Sequence, residues 1–177
     1  MTKIGIHQAN FIPNFPFFYK MANCDIFVIL SYCDFEKNNF QNRYLINEKN
    51  KWVTKSVKAG KGRIVDKMYT DGSYLFPLNM AWINTIKRTL NIKTEIVFDY
   101  PTELKGTERL IDLIKHYKGD VYVTNPSAKD KYLDEDLMRQ SGVDIIYCSP
   151  PKHLQIHTFE AFEKYGIDGT IKQLGKK

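Results

Sequence analysis

The chain has 177 residues, of which 43% are hydrophobic and 26% are charged. These proportions are typical of a globular domain and exclude a disordered or fibrous chain. The longest apolar run covers only residues 26–30, which is far too short to cross a bilayer, and no hydrophobic signal segment follows Met1. We therefore expect a cytoplasmic protein, with residues 1–177 as a single domain and its three cysteines reduced.

The first part of the chain predicts two strands separated by a loop and a short helix. Residues 3–7 are predicted to form the first strand, and the Pro- and Asn-rich stretch 8–16 to form a loop. A short helix follows at 17–23. The apolar segment 25–30 is the clearest strand, because such a run suits a strand that is buried on both faces. Residues 35–46 mix polar and aromatic side chains and predict a loop with an irregular strand.

A basic arm follows at residues 49–67. This segment holds seven basic side chains and one acid, a net charge of +6 that equals the charge of the whole chain. Such a density favours contact with the phosphates of a nucleotide, a nucleic acid or another acidic polymer. A solvated hairpin kept soluble by lysines would have the same composition, so both interpretations stay open. The candidate phosphate ligands are Lys51, Lys55, Lys58, Lys61 and Arg63.

The rest of the chain predicts an alternation of helices and strands. A helix at 74–90 repeats an apolar residue every four positions, at Leu78, Trp82, Ile86 and Leu90. The further predicted elements are a strand at 94–98, a helix from Thr107 to Gly119, a strand at 121–124, a helix at 134–141, a strand at 143–148 and a helix at 158–164. Strands that alternate with helices indicate a mostly parallel sheet covered on both faces. We therefore expect a three-layer α/β domain that carries the basic arm as a β-hairpin-like addition.

Several common cofactor and catalytic motifs are absent from the sequence. It has no G-x-G-x-x-G fingerprint, no P-loop, no G-x-S-x-G turn and no H-E-x-x-H pair. His153 and His157 have the spacing of two metal ligands on one helical face, but two prolines precede them and no third ligand is near. We therefore expect neither a metal site nor a bound cofactor.

A first polar cluster, His7, Gln8 and Asn10, directly follows the first predicted strand. In open α/β sheets, ligands bind beyond the carboxyl ends of the strands, so these side chains are placed to contact a substrate. His7 is the only histidine at a predicted strand end, and its titration near neutrality would suit a general base. An imidazole that only tethers the loop is the structural alternative.

A second polar cluster, at residues 35–43, comes soon after the second predicted strand. Lys37 and Arg43 are candidate ligands of phosphate oxygens. The amides of Asn38, Gln41 and Asn42 can donate and accept hydrogen bonds at the edges of a sugar or a base. A turn held together by its own amides would use the same residues.

The two clusters also carry a resemblance to a known family. The family's opening pattern is an I-H-Q start, an F-x-K-I-A helix, a D-V-F-V-x-L strand and an F-x-K-x-x-F-Q-N-R motif. The matching segments here are Ile6-His7-Gln8, Phe18-Tyr19-Lys20-Met21-Ala22, Asp25-Ile-Phe-Val-Ile-Leu30 and Phe35-x-Lys37-Asn38-x-Phe40-Gln41-Asn42-Arg43. Because order and spacing agree through about residue 46, the chain resembles the WbqC-like family.

This resemblance implies a role in the biosynthesis of bacterial surface polysaccharides such as the O-antigen of lipopolysaccharide, in which members have been suggested to transfer glycine to a sugar. Ser31 and Tyr32 stand where the family tends to have two acids, so Asp34 becomes the candidate acid beside His7. The leading hypothesis is a transferase that moves an aminoacyl group to an amino sugar carried on a nucleotide.

The acyl donor would have to arrive activated, since no ATP-binding motif is present, and aminoacyl-tRNA is one candidate whose phosphates the basic arm would suit. Two alternatives use the same residues. One is a non-catalytic module that binds a nucleotide or RNA, and the other is an enzyme that processes nucleotides or nucleic acids.

Overall fold

The structure, a computed structural model, describes residues 1–175. Its strands are β1 (Lys3–Gln8), β2 (Ile26–Leu30), β3 (Arg43–Ile46), β4 (Lys51–Thr54), β5 (Glu95–Phe98), β6 (Val121–Thr124) and β7 (Asp144–Tyr147). Its α-helices are α1 (Phe15–Ala22), α2 (Leu75–Thr89), α3 (Gly106–His116), α4 (Glu135–Gln140) and α5 (Thr158–Gln173). The alternation of strands and helices in the second half of the chain is the one that the sequence predicts.

Five of the strands form a parallel sheet in the order β5-β2-β1-β6-β7. In the middle of the sheet, Gly5 of β1 lies opposite Phe27 of β2 and Val123 of β6. The chain therefore builds the sheet outward from β1 in one direction, through β2 to β5, and then returns to add β6 and β7 on the other side. Such a reversal leaves a crevice between β1 and β6 at the carboxyl ends of the strands.

Helices cover both faces of the sheet, which confirms the three-layer α/β architecture. The apolar core on one face joins α1, α2 and α5 to strand residues such as Phe27 and Ile29. The core on the opposite face joins α3 and α4 to Ile4, Ile6 and Val28. Alternate residues of β1 and β2 thus enter opposite cores, as the period of two in a strand requires.

The basic arm begins in a small antiparallel hairpin made of β3 and β4, which confirms the predicted hairpin-like addition. The hairpin starts earlier than the basic arm, since β3 comes from the polar segment that was predicted to be irregular. After β4 the arm folds back through a short 3-10 turn at Ile64–Asp66, in which Ile64 is fully buried.

Several helices differ from their prediction: α5 continues to Gln173 rather than ending at residue 164, with a kink at Gly166, and α3 ends at His116 rather than at Gly119. Helix α1 starts at Phe15, two residues earlier than predicted, and accepts Pro16 because the first turn of a helix needs no N–H donor there. Helix α2 buries Leu75, Asn79 and Ile83 rather than Leu78 and Trp82, which are half-buried. The buried stripe of α2 therefore contains a polar residue, which the apolar pattern alone did not predict.

Candidate functional site

A cavity of about 740 Å³ opens where the chain reverses between β1 and β6. This is the place at which open α/β sheets bind ligands, and the volume falls within the usual range of roughly 300–1,000 Å³ for small-molecule sites. Its walls are Ile6, His7, Gln8, Asn10, Asn14, Pro16, Phe17, Lys20, Leu30, Glu36, Asn39, Phe40, Gly106, Arg109, Leu110, Tyr122, Thr124, Asn125, Ser127, Lys131 and Tyr132. Both polar clusters of the sequence therefore reach one cavity.

His7 lies near the end of β1, and one of its ring nitrogens already forms a hydrogen bond. Its Nδ1 is 3.0 Å from the carbonyl oxygen of Gln8, which can only accept, so Nδ1 carries the proton and Nε2 keeps its lone pair. The ring packs edge-on against Phe17, with 5.0 Å between centroids. Burial, reinforced by the positive charge of Lys20, lowers the pKa of His7 to about 3. The imidazole is therefore neutral at pH 7, and titration near neutrality was a wrong expectation.

Lys20 brings a buried positive charge to the same cavity. Its side chain, on α1, is only 3% exposed, and Nζ donates a 2.9 Å hydrogen bond to the carbonyl oxygen of Ile6. Among residues 1–175 it makes no ion pair with a carboxylate, and its nearest ring contact is Phe27, at 5.5 Å from the centroid. Burial therefore lowers the pKa of Lys20 to about 8.

Asn10 lines the cavity with an unused hydrogen-bonding group. It is 5% exposed, and its Oδ1 is buried without a hydrogen-bond partner in the described part of the chain. A buried carbonyl oxygen without a donor costs about 1–3 kcal/mol, so such a group in a cavity wall indicates a place for a ligand hydroxyl or amine.

Gln8 joins the two polar clusters directly. Its Nε2 donates to Asn39 Oδ1 at 2.9 Å, and its Oε1 accepts from Gln41 Nε2 at 3.0 Å. Gln41 is fully buried and also bonds the backbone of Asp34 and Glu36. This network sets the position of the 36–40 loop on the cavity wall, and it occupies the amide of Gln41.

Four other predicted ligands of the second cluster lie outside the cavity walls. Lys37 and Asn38 are exposed, and the Asn38 carbonyl accepts a hydrogen bond from the Arg43 guanidinium. Arg43 lies over the ring of Trp52, 4.1 Å from its centroid. Asn42 donates to the Lys55 carbonyl and ties the loop to the hairpin. The part of this cluster that reaches the cavity is Glu36, Asn39 and Phe40.

Asp34, the predicted partner of His7, lines a second cavity of about 400 Å³ with Arg63 and Asp99. The two cavities share one wall at Arg109, whose guanidinium forms ion pairs with Asp99, at 3.4 Å, and with Asp112, at 3.1 Å. The structure thus places Asp34 beside the His7 cavity rather than on its walls.

The basic arm is not uniformly available to a partner. Lys55 pairs with Asp71, and Lys67 is buried, with its Nζ donating to the carbonyl oxygens of Lys58 and Gly60. The other four predicted phosphate ligands have exposed side chains: Lys51, Lys58, Lys61 and Arg63.

Sequence reasoning missed the charged residues that the second half of the chain and α1 contribute. Lys131 and Arg109, from the second half of the chain, also line the cavity between β1 and β6. Lys20 had a readable signal, because a lysine three residues after Phe17 in an otherwise apolar helix falls on its buried face. Arg109 had none, since its place depends on how α3 packs.

Within residues 1–175, no group of three metal-binding side chains is arranged to hold a metal ion. His157 instead caps α5 and stacks on Tyr44, with 4.4 Å between ring centroids. The same residues contain no helix that is long and apolar enough to span a membrane.

Comparison with known proteins adds one family and one relative. The sequence pattern of the WbqC-like protein family matches residues 8–72 and 61–165. An uncharacterized protein of Mycobacterium tuberculosis, Rv1507c, is 26% identical over 191 residues, which cover 83% of this chain and 82% of that protein. No solved structure matches the chain.

Proposed function

We propose that this chain, which belongs to the WbqC-like protein family, is a transferase of surface-polysaccharide biosynthesis that moves an aminoacyl group, such as glycyl, to the amine of a nucleotide-linked sugar. One observation carries the proposal. His7, a neutral imidazole, and Lys20, a buried ammonium, line the same cavity at the switch point of the sheet, and among residues 1–175 no carboxylate forms an ion pair with Lys20. Acyl transfer to an amine is accelerated by two such groups, a proton acceptor for the amine and a positive group at the carbonyl oxygen.

The proposed reaction forms an N–C bond and breaks a C–O ester bond. The sugar amine attacks the acyl carbon, and His7 Nε2 takes the proton that the nitrogen loses. Lys20 donates a hydrogen bond to the carbonyl oxygen as it becomes negative. The C–O bond then breaks, and His7 returns its proton to the leaving oxygen. Positioning the two reactants in one cavity would supply roughly 7–11 kcal/mol of the barrier reduction.

Electrostatic coupling between the two groups fits this order of events. In the free protein the charge of Lys20 contributes to the low pKa of His7. A negative oxygen beside Lys20 would offset that charge, so the pKa of His7 would rise as the proton transfer requires. The imidazole thus becomes a stronger base in the transition state than in the free protein.

The other cavity groups supply recognition in this proposal. Asn10 Oδ1, which has no protein donor in residues 1–175, would accept from the amine or a hydroxyl of the sugar. Lys131 and Arg109 would face the phosphates, although two carboxylates already pair with Arg109. Asp34, Lys37 and Arg43 lie outside the cavity walls, so we give them no part in the chemical step.

The experiment that tests the proposal is transfer of labelled glycine from glycyl-tRNA to nucleotide-linked amino sugars. His7→Ala should lower kcat by about 10²–10⁴-fold while the affinity for the sugar changes little. His153→Ala, which alters an exposed histidine outside the cavity, is the matched control. A wild-type protein that binds these sugars but transfers nothing would support the binding module, and transfer unaffected by His7→Ala would refute the role of the imidazole.

A further inference from the structure

The outer face of the β3–β4 hairpin presents a group of side chains that the transferase mechanism does not use. In the antiparallel pair, Leu45 lies opposite Trp52 and Arg43 lies opposite Thr54, so these four side chains share one face. The opposite face holds Tyr44, which stacks on the buried His157 and fixes the hairpin to the body of the protein. The face with Trp52 is therefore the one turned to solvent.

Two aromatic rings and a guanidinium lie together on this outer face. The rings of Phe40 and Trp52 are 5.4 Å apart between centroids, and the Arg43 guanidinium lies 4.1 Å from the Trp52 centroid. Trp52 is 40% exposed and Phe40 is 37% exposed. We call Phe40, Arg43 and Trp52 the hairpin platform.

The hairpin platform is continuous with the cavity. Phe40 belongs to both, because it contacts Trp52 on one side and forms part of the cavity wall on the other. The surrounding segment, residues 43–55, carries four basic side chains and one acid. Two exposed aromatic rings, tilted by 56° to each other, thus lie on a net-basic segment and adjoin the cavity.

We propose that the hairpin platform binds single-stranded RNA, with bases stacked on Trp52 and Phe40 and with the end of the strand directed into the cavity. Proteins that bind single strands combine exposed aromatic rings with basic side chains in this way, since every base has a flat face and every nucleotide a phosphate. The Arg43 guanidinium supplies a positive charge beside the Trp52 ring, whereas Lys51 is exposed on the opposite face of the hairpin. The inference rests on the proposed function only in assigning the RNA as the aminoacyl donor.

The first test uses tryptophan fluorescence, because the chain has only two tryptophans. Trp82→Phe leaves Trp52 as the sole reporter, and single-stranded RNA of about 12 nucleotides should quench it at low salt. Trp52→Phe leaves only Trp82, which is half-buried beside Phe159, and the same RNA should leave its emission unchanged. Heparin, which has charge but no bases, should not quench Trp52, and equal quenching by heparin would overturn the inference.

The second test measures affinity. Trp52→Ala and Phe40→Ala should each weaken RNA binding by about 5- to 150-fold, the range for loss of one base stack. Phe98→Ala removes another exposed ring, far along the chain on β5, and should leave the affinity unchanged. Equal RNA affinity of wild-type, Trp52→Ala and Phe40→Ala proteins would overturn the inference. The quenching test retains Trp52, so it decides whether RNA binds the hairpin platform even if Trp52→Ala or Phe40→Ala does not fold.

The outcomes separate the two proposals. RNA that quenches Trp52 in a protein without transferase activity would support the platform and refute the proposed function. Glycine transfer from a donor without RNA, in a protein whose Trp52 responds to no RNA, would refute the platform and support a transferase.

Discussion

His7 and Lys20 are the residues whose environment departs furthest from that of an ordinary surface side chain. Each has its charged form disfavoured by burial, and the charge of Lys20 lowers the pKa of His7 further. Lys20 nevertheless stays mostly protonated at pH 7, because its pKa is lowered only to about 8. The free protein thus maintains a buried charge whose one side-chain hydrogen bond within residues 1–175 is to the Ile6 carbonyl oxygen. A negative or electron-rich ligand would relieve that cost, as a buried charge requires a partner.

This arrangement predicts how stability depends on pH. The pKa of Lys20 is about 8 in the folded protein and 10.5 in the unfolded chain, so between these values the unfolded state binds more protons. The free energy of unfolding of the wild type should therefore gain up to about 3 kcal/mol as the pH rises through this window. Lys20→Met lacks this gain, so its stability relative to the wild type should fall between about pH 7.5 and pH 10.

Urea unfolding at several pH values measures the difference. Lys152→Met is the matched control, because Lys152 is exposed on the 3-10 turn before α5 and should give no such trend. A difference between Lys20→Met and wild type that stays constant with pH would contradict a buried, uncompensated ammonium.

At the scale of elements, Asn79 of α2 holds the two loops that form the cavity. Its Nδ2 donates to the carbonyl oxygens of Ala9, at 2.8 Å, and Gln41, at 2.7 Å, while its Oδ1 accepts from the Tyr69 hydroxyl at 2.7 Å. Asn79 is fully buried, and the Tyr69 hydroxyl adds only a longer hydrogen bond, of 3.5 Å, to the Gln41 carbonyl oxygen. The loop after β1 and the loop before β3 are thus fixed to the same helix.

We predict that Asn79→Leu destabilises the protein by on the order of 2–5 kcal/mol, because it removes the donor of the buried Ala9 carbonyl oxygen, the closest donor of the Gln41 carbonyl oxygen and the closest acceptor of the Tyr69 hydroxyl. Urea unfolding measures this loss. Asn84→Leu, an exposed position on the same helix, is the control and should change the free energy of unfolding by less than about 0.5 kcal/mol. Equal effects of the two substitutions would contradict the role of Asn79 as the anchor of both loops.

The sequence predicts the elements better than it predicts the contacts between them. Strand β2 is predictable because five consecutive apolar residues suit a doubly buried strand, and His7 because it lies next to the end of β1. Asn79 is not, since α2 also carries Asn84 and no local signal tells the buried amide from the exposed one. Likewise, the sequence alone does not show whether Arg43 binds a phosphate or stacks on Trp52, because this depends on the register of the hairpin.

At the scale of the whole molecule, the order β5-β2-β1-β6-β7 explains why residues from distant parts of the chain share one cavity. The switch between β1 and β6 brings His7 and Gln8 next to Thr124 and Asn125. The hairpin then extends the cavity on one side through Phe40. Sheet order decides the location of the cavity, and the sequence alone indicates parallel strands without fixing their order.

In the proposed function, this cavity binds a nucleotide-linked amino sugar with Lys20 as its buried cation. Isothermal titration calorimetry with a panel of such sugars tests this claim most directly, using wild type, Lys20→Met and the exposed control Lys152→Met. We predict that wild type and Lys152→Met bind the same sugar equally well and that Lys20→Met binds it at least about 10-fold more weakly. Equal affinities of Lys20→Met and wild type, or no binding of any sugar by the wild type, would contradict the claim.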